Sequence, residues 1–167
     1  PARLAQQLLD TGVRRGATLL ERAGDMEGAA GVYEQMLERD LYPDAAANNL
    51  AMLLVTQFGE DDQTKLVRAV ELVGRLETSK QPNFLDTAGW VHFKNSDYER
   101  AVEILEKAAG IGEPAPELRY HLGMAYLRTG DREGYEAQMK LYKKAMEDYE
   151  AWLDEQGPQV GASRGGM

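Results

Sequence analysis

Cysteine is absent from all 167 residues, which removes disulfides, thiolate nucleophiles and Cys-ligated metals from consideration. An oxidising compartment is compatible with that absence. Proline is scarce, at six, and there are no runs of β-branched residues, so the chain favours helix over strand. No segment reaches the ~18 continuous apolar residues that a membrane span needs. Positive charge is in deficit: 19 Lys and Arg face 28 Asp and Glu, a net charge of −9, with a pI near 4.8. A field of that sign repels a phosphate backbone, so nucleic acid is not an expected partner. Methionine does not lead the chain. Pro1 does, which predicts a fragment or a processed product from which a signal peptide or lipid anchor could have been removed.

What is present is 43% hydrophobic residues, enough for one compact domain, together with a repeat. The phrase Leu85-Asp86-Thr87-Ala88-Gly89-Trp90 recurs, degraded, 34 residues later as Arg119-Tyr120-His121-Leu122-Gly123-Met124. A turn follows each copy at the same distance, Ser96-Asp97 in one and Gly130-Asp131 in the other. Self-similarity at a period of roughly 20–50 residues marks stacked supersecondary units. The register residues are Ala17, Ala51, Gly89 and Gly123, each on the first helix of a pair. Their partners on the second helices are Ala29, Ala69, Ala101 and Tyr135. Small residues belong there because helices approach closest, with axes ~8–10 Å apart, where side chains are smallest. The second unit carries six extra residues, Gly59 to Thr64, which lengthen its polar loop.

These features resemble the tetratricopeptide repeat family, in its bacterial form, from about Asp10 to Tyr142. The best match is Gly89, Asp97-Tyr98, Ala101, Leu105, Ala108 and Pro114. The next copy matches through Leu122-Gly123, Tyr126 and Gly130-Asp131, with Pro116 ahead of it. The resemblance implies an all-α fold: a right-handed superhelical solenoid of about four helix–turn–helix repeats with a long C-terminal capping helix. First helices are expected near 11–23, 44–57, 83–94 and 116–128, and second helices near 26–40, 64–78, 97–109 and 132–156. Residues 1–9 either extend the first helix or end an upstream one, and the Asp10-Thr11-Gly12 break favours the second. Residues 10–131 form the array, 132–156 the capping helix, and 157–167 a disordered tail with little to bury.

The last helix extends beyond the family pattern. Tyr135, Met139, Tyr142, Met146, Tyr149 and Leu153 form one stripe along about six turns. It reads as a cap over the open end of the stack, with a coiled-coil-like dimer seam as the alternative.

No catalytic constellation is visible, and the chain is not expected to be an enzyme. His92 follows Gly89 and His121 precedes Gly123, so the two are not equivalent, and no third ligand stands at metal spacing. Packing among helices is the expected role of each. Ser79, Ser96 and Ser163 fall in turns or the tail. Glu60-Asp61-Asp62 lacks the pattern of a calcium loop and reads as a solvated acidic turn. No cofactor or metal is expected.

In a solenoid of helix pairs the first helices line a concave groove. The residues expected there are Arg14, Thr18 and Arg22 from unit one, and Asn48, Met52 and Val55 from unit two. Asp86, Trp90, Phe93 and Lys94 come from unit three, and Tyr120, Met124, Leu127 and Arg128 from unit four. The near end is basic and amide-bearing, and the far end is aromatic and Met-rich. Such a surface suits an extended peptide or an amphipathic helix. Trp90 and Phe93 also neighbour core positions, where a small rotation would bury them between units. The groove reading expects Trp90→Ala to weaken partner binding while melting changes little. Asn48 matches one residue of the family's carboxylate clamp and Arg14 loosely substitutes for another, but the rest of that clamp is absent.

The expected function is a non-catalytic scaffold that binds a protein or peptide segment in the groove. The alternatives are a structural module, with a homo-oligomer through the C-terminal helix, or the targeting domain of a larger bacterial envelope or exopolysaccharide-secretion protein. The resemblance leaves the compartment open between bacterial cytoplasm and periplasm.

Overall fold

Three of the helices begin at a proline: Pro43, Pro82 and Pro116 each occupy the first turn, where the missing amide costs nothing. The computed structural model describes the backbone of residues 2–57 and 62–156, and the side chains from residue 12 onward except Arg14 and Gln156. Among the described residues there are eight helices and no strand. They are α1 (Ala2–Ala23), α2 (Met26–Glu38), α3 (Pro43–Gln57), α4 (Gln63–Val73), α5 (Pro82–Lys94), α6 (Tyr98–Ala109), α7 (Pro116–Thr129) and α8 (Arg132–Gln156). Each odd helix packs on the even helix that follows it, and each of α2, α4 and α6 packs on the next odd helix. α3 also touches α5, and α5 touches α7. The result is a solenoid of four hairpins, as the repeat implied.

One rule starts every second helix. Asp25, Asp62, Asp97 and Asp131 accept the backbone N–H three residues on, from Gly28, Lys65, Arg100 and Gly134. Each cap satisfies an orphan donor and contributes about 1 kcal/mol. Ahead of the cap, units one and four use Gly24 (φ +81°) and Gly130 (φ +89°) in the left-handed region. Unit three puts Ser96 there, at φ +62°.

The core is the row of small residues and what meets it. Ala17, Ala29, Ala51, Ala69 and Ala101 are fully buried. A Cβ on Gly89 would stand 2.5 Å from Leu105 Cγ, the branch point of a fully buried side chain. A Cβ on Gly123 would instead meet the terminal methyl of Met139 at 2.5 Å, which can swing aside. Alanine restores about 1 kcal/mol of helix propensity at either site, while overpacking costs ~1–3 kcal/mol where nothing can yield. Gly89→Ala should therefore lose about 1 kcal/mol net, and Gly123→Ala should be near neutral, by urea midpoints. Equal losses would refute this account of the two glycines.

Four expectations change. α1 is unbroken through Asp10-Thr11-Gly12, so residues 2–9 extend the first helix. A single mid-helix glycine costs only about 1 kcal/mol, which a long helix carries. α4 stops at Val73 rather than 78. Gly74 follows it, and two i→i+3 bonds, Leu76 N–H to Val73 O and Ser79 N–H to Leu76 O, tighten the chain so that Leu76 enters the core. The insertion in unit two does not lie wholly in the loop. Asp62 caps α4 at Gln63, so its last residues, Gln63 and Thr64, are helical and α4 starts earlier than expected. Val55 and Trp90 are buried, at 7% and 9% exposure. The tail at 157–167, residues 58–61 of the acidic loop and the Arg14 side chain lie outside the described residues.

α8 covers the end of the stack only in part. Tyr135, Met139, Tyr142 and Met146 are half-buried on the side toward α7. Beyond them Tyr149 is 53% exposed and Leu153 48% exposed.

Candidate functional site

α1 packs on α2 but, among the described residues, not on α3, whereas α3, α5 and α7 touch in succession. The first hairpin is thereby splayed from the rest along the inner face. A hollow of about 460 Å³ opens there, with walls from α1 (Thr18, Glu21), α2 (Met26, Tyr33), α3 (Asn48, Asn49, Met52) and α5 (Asn83, Asp86).

Its floor is a polar chain. Asn48 Nδ2 donates to Asn49 Oδ1 at 3.1 Å, Asn49 Nδ2 donates to the Tyr33 hydroxyl at 3.2 Å, and that hydroxyl donates to Glu21 Oε1 at 3.1 Å. Burial, and then the Glu21 charge, push the Tyr33 phenol up to about 12, so it stays a donor at any working pH. The chain ends unsatisfied: Asn48 Oδ1 is buried and has no hydrogen-bond partner. A buried amide oxygen left so costs about 1–3 kcal/mol, which an incoming donor would recover.

The far end is filled by rings. The Trp90 indole stacks with Phe93 (centroids 4.7 Å apart, 5° between planes) and with His121 from α7 (4.1 Å, 18°). Lys94 Nζ lies 5.3 Å from the indole centre. His121 Nδ1 is 2.8 Å from Asp86 Oδ1, within hydrogen-bonding distance. Tyr120 extends the series to Tyr142 of α8 at 5.8 Å. Trp90 thus joins α5 to α7 rather than standing open to a partner.

The sequence-derived groove residues divide accordingly. Asn48, Met52 and Asp86 line the hollow. Arg22 lies nearby, beside Arg15, Leu19 and Asn49. Phe93, Lys94 and Arg128 line a separate polar recess of about 420 Å³ with Gln63 and Tyr98. Arg128 stacks on Tyr98 and donates to its hydroxyl. Tyr120 (38% exposed) and Leu127 (40% exposed) face solvent, and Met124 is half-buried. Sequence reasoning missed Tyr33, Glu21 and Asn49. The signal available was a tyrosine on an otherwise aliphatic core stripe of α2, whose hydroxyl must find a partner when buried.

Both histidines serve packing. His92 Nε2 lies 2.8 Å from Glu77 Oε1 and its Nδ1 3.6 Å from Asp97 Oδ2. Among the described residues no three His, Cys, Asp or Glu side chains gather as a metal site, and no helix is long and apolar enough to cross a membrane.

Residues 87–160 match a family model described as "Tetratricopeptide repeat". A search of curated protein sequences finds no match. Among solved structures, a crystal structure of MamA aligns with TM-score 0.61 at 16% identity, over 77% of this chain and 73% of that one. BtubC (BKLC) from P. vanneervenii aligns with TM-score 0.61 at 23% identity, over 86% of this chain and 65% of that one. A further MamA structure aligns with TM-score 0.57 at 16% identity, over 95% and 97%. At these identities the likeness is one of fold.

Proposed function

We propose that this chain, whose residues 87–160 match the tetratricopeptide repeat family, is a non-catalytic scaffold that holds an extended protein segment in the hollow between α1 and α3. The observation that carries the reading is the unpartnered Asn48 Oδ1 at the end of the Asn48–Asn49–Tyr33–Glu21 chain. An extended backbone presents an N–H donor to such an oxygen, and Met26 and Met52 supply adaptable apolar walls. No enzymatic family is indicated.

The test is selection of binders from a random peptide library, followed by calorimetry on Asn48→Ala. The variant should bind the selected peptides about 5- to 100-fold more weakly, because a hydrogen bond to a buried amide is lost. Its urea midpoint should move little, because loss of the Asn48 Nδ2 bond to Asn49 is offset by removal of the unpartnered Oδ1. Peptides that bind Asn48→Ala as tightly as the parent would defeat the proposal.

A second reading, self-association through α8, is favoured by one observation. Leu141, Tyr149, Trp152 and Leu153 are 42–53% exposed on a single helix.

A further inference from the structure

After a mixed start of Arg132, Glu133 and Glu136, the charges of α8 are sorted over residues 138–155. From Gln138 to Ala145 every charged residue is a lysine: Lys140, Lys143 and Lys144. From Glu147 to Glu155 every charged residue is an acid, five in all. This order opposes the helix dipole, which favours cations near the C-terminus, and the last turn of α8 carries no basic residue. Among the described residues Lys144 and Asp148 bridge the two halves, at 2.8 Å. The exposed apolar residues Tyr149, Trp152 and Leu153 lie in the acidic half, and exposed Leu141 lies in the basic half.

We infer that α8 pairs with α8 of a second copy of this chain, antiparallel, so that the lysine half of each lies on the acidic half of the other. This deepens the self-association reading and is independent of the hollow between α1 and α3. A parallel pair would set like charge on like, whereas the antiparallel pair matches the halves and offsets the unfavourable dipole term at both C-termini. An overlap centred near Glu147 sets Trp152 of one copy beside Leu141 of the other. A groove of about 480 Å³ lies there, with Pro114, Pro116, Leu141 and Ala145 among its apolar walls and charged Glu113, Arg119, Lys144 and Asp148 also lining it. Proline and aliphatic walls suit an indole, the commonest kind of anchor at such contacts. Residues 157–167 hold only Val160 and Met167 as large apolar side chains, a poor covering for the same face. The overlap is about 28 Å long, so the interface is small and the dimer depends on concentration.

Sedimentation velocity over a dilution series of the full chain tests this, with circular dichroism to show that each variant keeps its helix. The parent should pass from monomer to dimer, and Trp152→Ala should weaken association about tenfold or more. Lys140→Glu/Lys144→Glu should be monomeric alone, and so should Asp154→Lys/Glu155→Lys. Mixed one to one, they should form a heterodimer at least as tight as the parent dimer, weakened by salt. A parent chain that is monomeric throughout overturns self-association altogether. A parent dimer with no recovery in the mixture overturns the antiparallel pairing alone. A dimer that appears only after residues 157–167 are removed would make the tail the occupant of this face and would also overturn it.

Discussion

Trp90→Ala should cost about 3–5 kcal/mol of stability, the range for removing a large aromatic from a packed interior. The residue is 9% exposed and stacks with both Phe93 and His121, so truncation leaves a void at the seam between the third and fourth hairpins. His121 would lose the ring that holds it against Asp86, which exposes a second contact to loss. Urea denaturation followed by circular dichroism measures the effect. Trp90→Phe, which keeps a stacked ring, should lose much less, about 1–2 kcal/mol. The curve should also change in form. In a solenoid each unit is held by its neighbours, so weakening one seam uncouples what lies beyond it. Here that is α7 and α8, which should unfold ahead of the rest. A loss under about 1 kcal/mol with a single sharp transition would place the indole outside the seam.

This outcome reverses what the sequence suggested for Trp90, and the reason is local. Helical period assigns a residue to a face, but each residue turns the helix by about 100°, so the border between face and core is uncertain by one position. Trp90 stands beside Gly89 on that border. In an array, burial there depends on the next repeat, whose His121 takes up the space over the indole. The repeats themselves were legible because their signals are redundant: small register residues at Ala17, Ala51, Gly89 and Gly123, prolines at three helix starts, and turns before Asp97 and Asp131. The hollow was half legible. Asn48, Met52 and Asp86 follow from the face of the first helices. Tyr33 and Glu21 come from the first hairpin, and they reach the hollow only because α1 stands away from α3. No spacing in the sequence announces that separation, since it arises from packing across repeats.

Glu77→Gln should cost about 1–3 kcal/mol at neutral pH, and the cost should fade in acid. Glu77 follows α4 in the turn tightened after Gly74, its side chain only 18% exposed. Two helices meet on it: His92 of α5 lies 2.8 Å from Oε1, Arg100 of α6 pairs with Oε2, and Lys107 of α6 donates to its backbone oxygen at 2.5 Å. Burial pushes its carboxyl up, but the hydrogen bonds from His92 and Arg100 and the Arg100 charge outweigh burial and hold it below the usual carboxylate value. The sign follows from that direction. In the unfolded chain Glu77 titrates near about 4.3, and the folded protein binds its proton less readily. The stabilisation is therefore complete above that pH and is lost as pH falls through the lower folded value. Glutamine cannot follow this titration. The difference in unfolding free energy between parent and Glu77→Gln should be flat above about pH 5 and should shrink below about pH 4. A difference that stays constant down to pH 3 would mean that the carboxylate charge is not what ties the second hairpin to the third.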